Sequence, residues 1–116
     1  FNKYVKLNRK LNFDFMTCCV DSTELGRIHL KAAIHPGDYT VRPQKVTKNT
    51  CPKYYKLINQ FLKISGIGAV LNTSLNMHEY PIVTNPQDII REILIKNKNV
   101  NFSILIEDNF FRRKNL

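Results

Sequence analysis

Two stretches of the chain hold residue types that could do chemistry. The first is Gly68-Ala69-Val70-Leu71-Asn72-Thr73-Ser74-Leu75-Asn76, where an apolar run hands over to hydroxyls and amides. In open α/β sheets, ligands bind beyond the carboxyl ends of the strands. From such a place Asn72, Thr73, Ser74 and Asn76 could donate to phosphate oxygens or hold a nucleotide ribose. An ordinary turn explains the same residues, because Asn, Ser and Thr bond to nearby backbone. The second stretch is Thr40-Val41-Arg42-Pro43-Gln44. Arg42 offers a planar fork of donors suited to a phosphate or carboxylate. A solvated strand arginine fits that position equally. His29 and His35 lack metal-ligand spacing to each other or to a carboxylate pair. His78 would contact phosphate when protonated, or simply stand on a loop. Tyr54-Tyr55 reads as core plus helix surface more readily than as a base-stacking platform.

These residues need elements to position them. Residues 1–12 are polar and basic and read as an irregular lead-in. Phe13 to Val20 reads as a strand, with Phe13 and Phe15 on one face. Residues 21–26 form a turn or short helical turn. Residues 31–35 read as a short strand. His35-Pro36-Gly37-Asp38 is turn chemistry, and Tyr39 to Val46 follows as a strand, suggesting a hairpin. Pro43 removes a donor and belongs at an edge or bulge. Pro52 suits the first position of a helix with Tyr54, Leu57, Ile58, Phe61 and Leu62 on one face and Gly66 after its end. Ile67 to Leu71 reads as a buried strand. Asn85-Pro86-Gln87-Asp88 starts a second helix, with Ile89, Ile90, Ile93 and Leu94 as its apolar face and Lys96 and Lys98 near its end. Val100 to Ile106 alternates as a closing strand, and Arg112-Arg113-Lys114 is a solvated tail. The expected class is α/β with a mixed sheet.

Composition narrows the options. The chain has 116 residues, one domain at most or a piece of one. Its first residue is Phe1, which points to a start inside a longer product. No apolar run approaches the ~18–20 residues of a membrane helix. Lys and Arg number 18 against 9 Asp and Glu, a net charge of +9. That surplus favours anionic partners without choosing among them, and an AT-rich coding bias would produce part of it. Cys18, Cys19 and Cys51 are odd in number and lack zinc spacing, so packed thiols in a reducing cytoplasm fit best.

An ordered series of motifs gives a sharper reading. It runs Thr40-Val41-Arg42-Pro43-Gln44-Lys45-Val46, Tyr54-Tyr55-Lys56-Leu57-Ile58, Val70-Leu71-Asn72-Thr73-Ser74-Leu75-Asn76, Pro81-Ile82-Val83 and Pro86-Gln87-Asp88. This series resembles the C-terminal domain of the O-carbamoyltransferase family, which includes nodulation-factor and antibiotic carbamoyltransferases. The resemblance covers about Phe13 to Ile106. It implies a YrdC-like fold with a mixed twisted sheet and packed helices. It implies a domain that binds ATP, with Mg²⁺, and carbamoyl phosphate, and forms a carbamoyl-adenylate. A separate N-terminal domain would then transfer the carbamoyl group to an acceptor hydroxyl. The family's Ser-x-Asn element falls on Ser74 and Asn76, and its Arg-Pro-Gln arginine on Arg42. Asn72, Thr73 and His78 complete the expected ligand-binding set. No nucleophilic side chain is required, since positioning and electrostatics would do the work.

The chain departs from the family pattern after Ser-x-Asn. The usual V-R-G-E-P-I-V is Met77-His78-Glu79-Tyr80-Pro81-Ile82-Val83 here. His78 replaces a permanent charge, and Glu79 replaces a glycine. If that glycine has positive φ, Glu79 strains or reshapes the turn. Basic elements that begin the family domain lie upstream of Phe1, so residues 1–116 are expected to form a partial domain with an incomplete phosphate shell. The alternatives are a non-catalytic YrdC-like module that binds RNA or nucleotide, or an inactive remnant. The acceptor and any homodimer stay open.

Overall fold

The computed structural model describes residues 1–7, 11–76, 78–90 and 103–112. The chain divides into two compact units, Phe1–Asn72 and Thr73–Leu116. In the first unit, β1 (Val20–Asp21) pairs antiparallel with β2 (Thr40–Val41), with Val20 opposite Val41 and Asp21 opposite Thr40. Helix α1 (Glu24–His29) and a 3₁₀ turn (Lys31–Ala33) lie between them in sequence, and α2 (Pro52–Ser65) follows. The second unit holds the short α3 (Pro86–Asp88) and a hairpin of β3 (Ser103–Ile106) and β4 (Asn109–Arg112).

The core of the first unit is built from the segment expected to be irregular. Tyr4 and Val5 are each 3% exposed, and they cluster with Val41. Val20, Leu30, Ala33, Ile34, Ile67 and Ala69 pack against that cluster. Val5 bridges to Ser22, and Lys6 N–H donates to the Asp21 carbonyl at 2.8 Å. The chain's first residues thus run beside β1. Ser22 is fully buried because both its polar groups are satisfied: its N–H (3.1 Å) and Oγ (2.6 Å) donate to the Tyr39 carbonyl. Buried polar groups without such partners would cost stability.

Thr23 caps α1. Its Oγ1 accepts from Gly26 N–H at 3.0 Å and donates to the Lys3 carbonyl at 2.6 Å. One side chain therefore starts the helix and ties it to the leading segment. Helix α2 begins and ends where its sequence dictates. Pro52 occupies the first turn, and Gly66 takes φ 74°, with its N–H donating to the Leu62 carbonyl at 2.8 Å. No residue of α2 is buried.

Several strand expectations give way. Residues 13–19 form bends and turns, and only Val20–Asp21 is strand. Accordingly Cys18 is half-buried and Cys19 exposed, rather than packed in a sheet. Residues 31–33 form a 3₁₀ turn, so the hairpin with Tyr39–Val46 does not form. The turn survives as a local loop, with Tyr39 N–H to the His35 carbonyl and His35 N–H to the Thr40 carbonyl, both 2.9 Å. Strand pairing ends at Val41 because Arg42 and Pro43 continue as irregular chain. Ile67 to Leu71 is not a strand, although Ile67 and Ala69 do pack on the core. The helix-plus-strand composition fits the α/β class. The strands among the described residues, however, form two separate antiparallel pairs, not one mixed sheet. β4 was not anticipated. Val100, Ile93, Leu94, Lys96, Lys98, Arg113 and Lys114 lie outside the described residues.

Candidate functional site: a basic cleft

A cleft of about 1060 Å³ opens in the first unit. The stretch 42–48 lines it, together with one face of α2 and residues 67–72. Tyr4, Val5, His29 and Leu30 line it from the core. Arg42, Lys45 and Lys48 supply three cations, and no Asp or Glu lines it among the described residues. Positive charge without a local carboxylate favours an anionic ligand.

Local bonds hold the cationic stretch in place. Lys45 N–H donates to the Phe13 carbonyl, and Gln44 Nε2 to the Asp14 carbonyl, each at 2.7 Å. Thr47 and Thr50 bond reciprocally, Oγ1 to Oγ1 at 2.9 Å, and lead into α2. Arg42 itself is exposed. Lys45 and Lys48 were missed in the sequence. The signal was their spacing of three from Arg42, the period of an extended proline-type helix, beginning beside Pro43.

The turn before β2 carries a perturbed acid. Asp38 Oδ1 accepts from Thr40 N–H (2.9 Å), Thr40 Oγ1 (2.8 Å) and His35 Nδ1 (3.1 Å). The Thr40 bonds, assisted by His35, hold this carboxyl below its usual 3.8. A lowered carboxyl pKa contributes stability above the unfolded value and loses it as pH falls through the folded one. Acid titration below pH 3.8 should therefore loosen the turn, and Asp38→Ala should remove this part of the acid response. Amide chemical shifts of Tyr39 and Thr40 followed from pH 5 downward report it; identical acid profiles in both proteins would contradict the assignment.

The six residues singled out in the sequence divide between the units. Arg42 and Asn72 line the same cleft, although thirty positions separate them. Asn72 Nδ2 also contacts Met16 Sδ at 3.8 Å. Thr73, Ser74, Asn76 and His78 belong to the second unit. There Ser74 Oγ donates to Asn76 Oδ1, and Asn76 Nδ2 donates to the Tyr80 carbonyl at 2.9 Å. Val83 N–H closes the loop on the Leu75 carbonyl at 2.9 Å. Thr73 is exposed irregular chain, and His78 is exposed with Nε2 3.9 Å from Glu79 Oε1.

Glu79 adopts φ 69°. The concern raised by its place in the motif is thus met by the backbone. A side chain in the left-handed region costs roughly 1 kcal/mol. Glu79→Gly should stabilise this loop by about 0.5–1 kcal/mol. The exposed pair with His78 offsets little of that gain. Slower limited proteolysis after residue 80 is the expected readout, and faster cleavage would refute it.

Comparison with known proteins now gives the family. Residues 1–113 match the family described as Carbamoyltransferase C-terminus. The chain belongs to this family. A nodulation protein of Sinorhizobium fredii, NolNO, is 35% identical over 94 residues, 80% of this chain and 14% of that protein. A second nodulation protein, NolO of Bradyrhizobium diazoefficiens, is 40% identical over 62 residues, 53% of this chain and 11% of its own length. An uncharacterized protein of Methanocaldococcus jannaschii is 40% identical over 85 residues, 73% of this chain and 13% of that protein. The carbamoyltransferase C-terminal chain thus spans a small fraction of the relatives it matches. No helix among its described residues is long and apolar enough to cross a membrane.

Proposed function

We propose that this carbamoyltransferase C-terminal domain has a YrdC-like fold, binds ATP and carbamoyl phosphate, and forms a carbamoyl-adenylate. An N-terminal domain would pass the carbamoyl group to a hydroxyl acceptor. The observation that supports this reading is the cleft, where Arg42, Asn72, Lys45 and Lys48 meet with no carboxylate among its described lining residues. Both substrates are polyanions. Joining a carbamoyl oxygen to the α-phosphorus expels pyrophosphate, and the phosphoryl group of carbamoyl phosphate passes to water. Every group that moves is a phosphate or is bonded to one, so fixed cations and donors are the machinery required.

In this reading Arg42 clamps a phosphate through two parallel bonds, and Lys45 and Lys48 balance the remaining charge. Asn72 donates at the end of the apolar run. Within the second unit Ser74 and Asn76 bond each other, and Ser74 Oγ could there donate to a phosphate oxygen in place of Asn76 Oδ1. His78 adds charge when protonated. The chain's own cleft residues do not make a Mg²⁺ site, since no carboxylate lines the cleft among the described residues. A divalent ion would arrive on the nucleotide's phosphates.

The net charge of +9 favours one competing reading, a module that binds RNA through its backbone phosphates. Titration calorimetry separates the two. Binding of ATP and of carbamoyl phosphate that survives moderate salt is expected. RNA binding with a steep salt slope, indifferent to ATP, would replace this reading with the RNA one.

A further inference from the structure

The motif residues leave one titratable pair in the cleft unused. Tyr4 is 3% exposed, and its hydroxyl lies between two partners. Gly68 N–H donates to Tyr4 Oη at 3.1 Å, and His29 Nδ1 stands 3.4 Å away. All three residues line the cleft. The amide fixes the direction of one of these bonds, and the burial of Tyr4 selects that of the other. The Gly68 amide can only donate, so Tyr4 Oη accepts from it. The phenol's own proton, on a residue 3% exposed, has its one nearby acceptor among the described residues in His29 Nδ1; an Nδ1–H tautomer would leave that buried proton without one, so burial favours a bare Nδ1. The imidazole proton therefore sits on Nε2. That N–H makes no hydrogen bond among the described residues, and no carboxylate lines the cleft among them.

We infer that His29, held in this tautomer by Tyr4, is a further ligand-binding residue, donating from Nε2 to a phosphate oxygen of the nucleotide in the basic cleft. The inference rests on the proposed reading of that cleft. His29 touches the ligand, and Tyr4 is a positioning residue that acts through it. A donor on the core side, set against Arg42, Lys45 and Lys48 on the 42–48 stretch, would grip the phosphates from two directions. Neither Tyr4 nor His29 belongs to a motif that marked the site in the sequence.

The test is ATP binding by the full chain at pH 8. His29→Leu should weaken binding about ten-fold, the loss of one hydrogen bond to a charged group. His29→Gln places an amide donor near the Nε2 position and should recover most of that loss. Tyr4→Phe should weaken binding and shift the His29 ring ¹⁵N signals away from a pure Nε2–H pattern. A purely structural Tyr4 would leave those signals unchanged. If Arg42→Ala weakens ATP binding while His29→Leu and Tyr4→Phe do not, the inference fails and the cleft reading stands. If neither Arg42→Ala nor His29→Leu changes ATP binding, or the unaltered chain binds no ATP, both fail. Loss of binding in His29→Leu with recovery in His29→Gln supports the inference and excludes misfolding as its cause.

Discussion

Arg42→Ala is expected to weaken ATP and carbamoyl phosphate binding about 100-fold. A hydrogen bond to a charged group is worth about 1.5–3 kcal/mol, and truncation removes two from a bidentate clamp. Compensation by Lys45 and Lys48 keeps the net loss near 3 kcal/mol, which is the stated factor. Arg42→Lys keeps the charge but not the planar fork, so it should recover only part of the affinity. Arg42 is exposed and belongs to no named strand, so neither variant should change the melting temperature. Calorimetry with both ligands, alongside a thermal melt, measures this directly. Binding within two-fold of the unaltered protein, with an unchanged melt, would remove Arg42 from the site.

Gly26→Ala should unfold the first unit far more readily than any surface change. Gly26 is buried, and a methyl carbon added there would sit 2.3 Å from the Tyr4 carbonyl oxygen and 3.2 Å from its carbonyl carbon. Both are backbone atoms, so no side chain can turn aside. The same carbonyl accepts from Thr23 N–H at 3.0 Å, which leaves the leading segment no freedom to retreat. Relief requires moving Tyr4 and Val5, the most buried apolar residues described, away from Val41. A cost of about 3 kcal/mol follows from overpacking of this kind. In a domain this small that lowers the melting temperature by roughly 15 °C. Circular dichroism would register the drop. A shift under 3 °C would mean the leading segment is not tied to α1 as described. Gly66→Ala is the useful contrast. A methyl there meets open space, and its penalty, of about 1 kcal/mol, comes from φ 74° alone.

Helix α2 was legible because its signals are local. Pro52 starts it, Gly66 stops it, and the stripe from Tyr54 to Leu62 has a helical period. Asn85, accepting from Asp88 N–H at 2.9 Å, follows the same rule. Strands were not legible to that degree. A strand exists only where a partner supplies a ladder of bonds, and the Phe13 to Val20 run has apolar alternation but enters a ladder only at its last residue, Val20, opposite Val41. Residues 31–33 turned into 3₁₀ chain for the same reason.

The sequence by itself determined the family, through motifs whose order and spacing survive in a single chain. It also determined the bounds of α2 and the start of α3, the excess of positive charge and the identity of Arg42 as a candidate anion clamp. Only the tertiary structure decided that Tyr4 and Val5 form the core, that Lys45 and Lys48 share the cleft with Arg42 and Asn72, and that Tyr4 Oη lies 3.4 Å from His29 Nδ1. The reason is physical. Caps, turns and helical stripes act over a few residues, within reach of a reading along the chain. Tyr4 meets Gly68 across sixty-four positions, and nothing local to either residue encodes that contact.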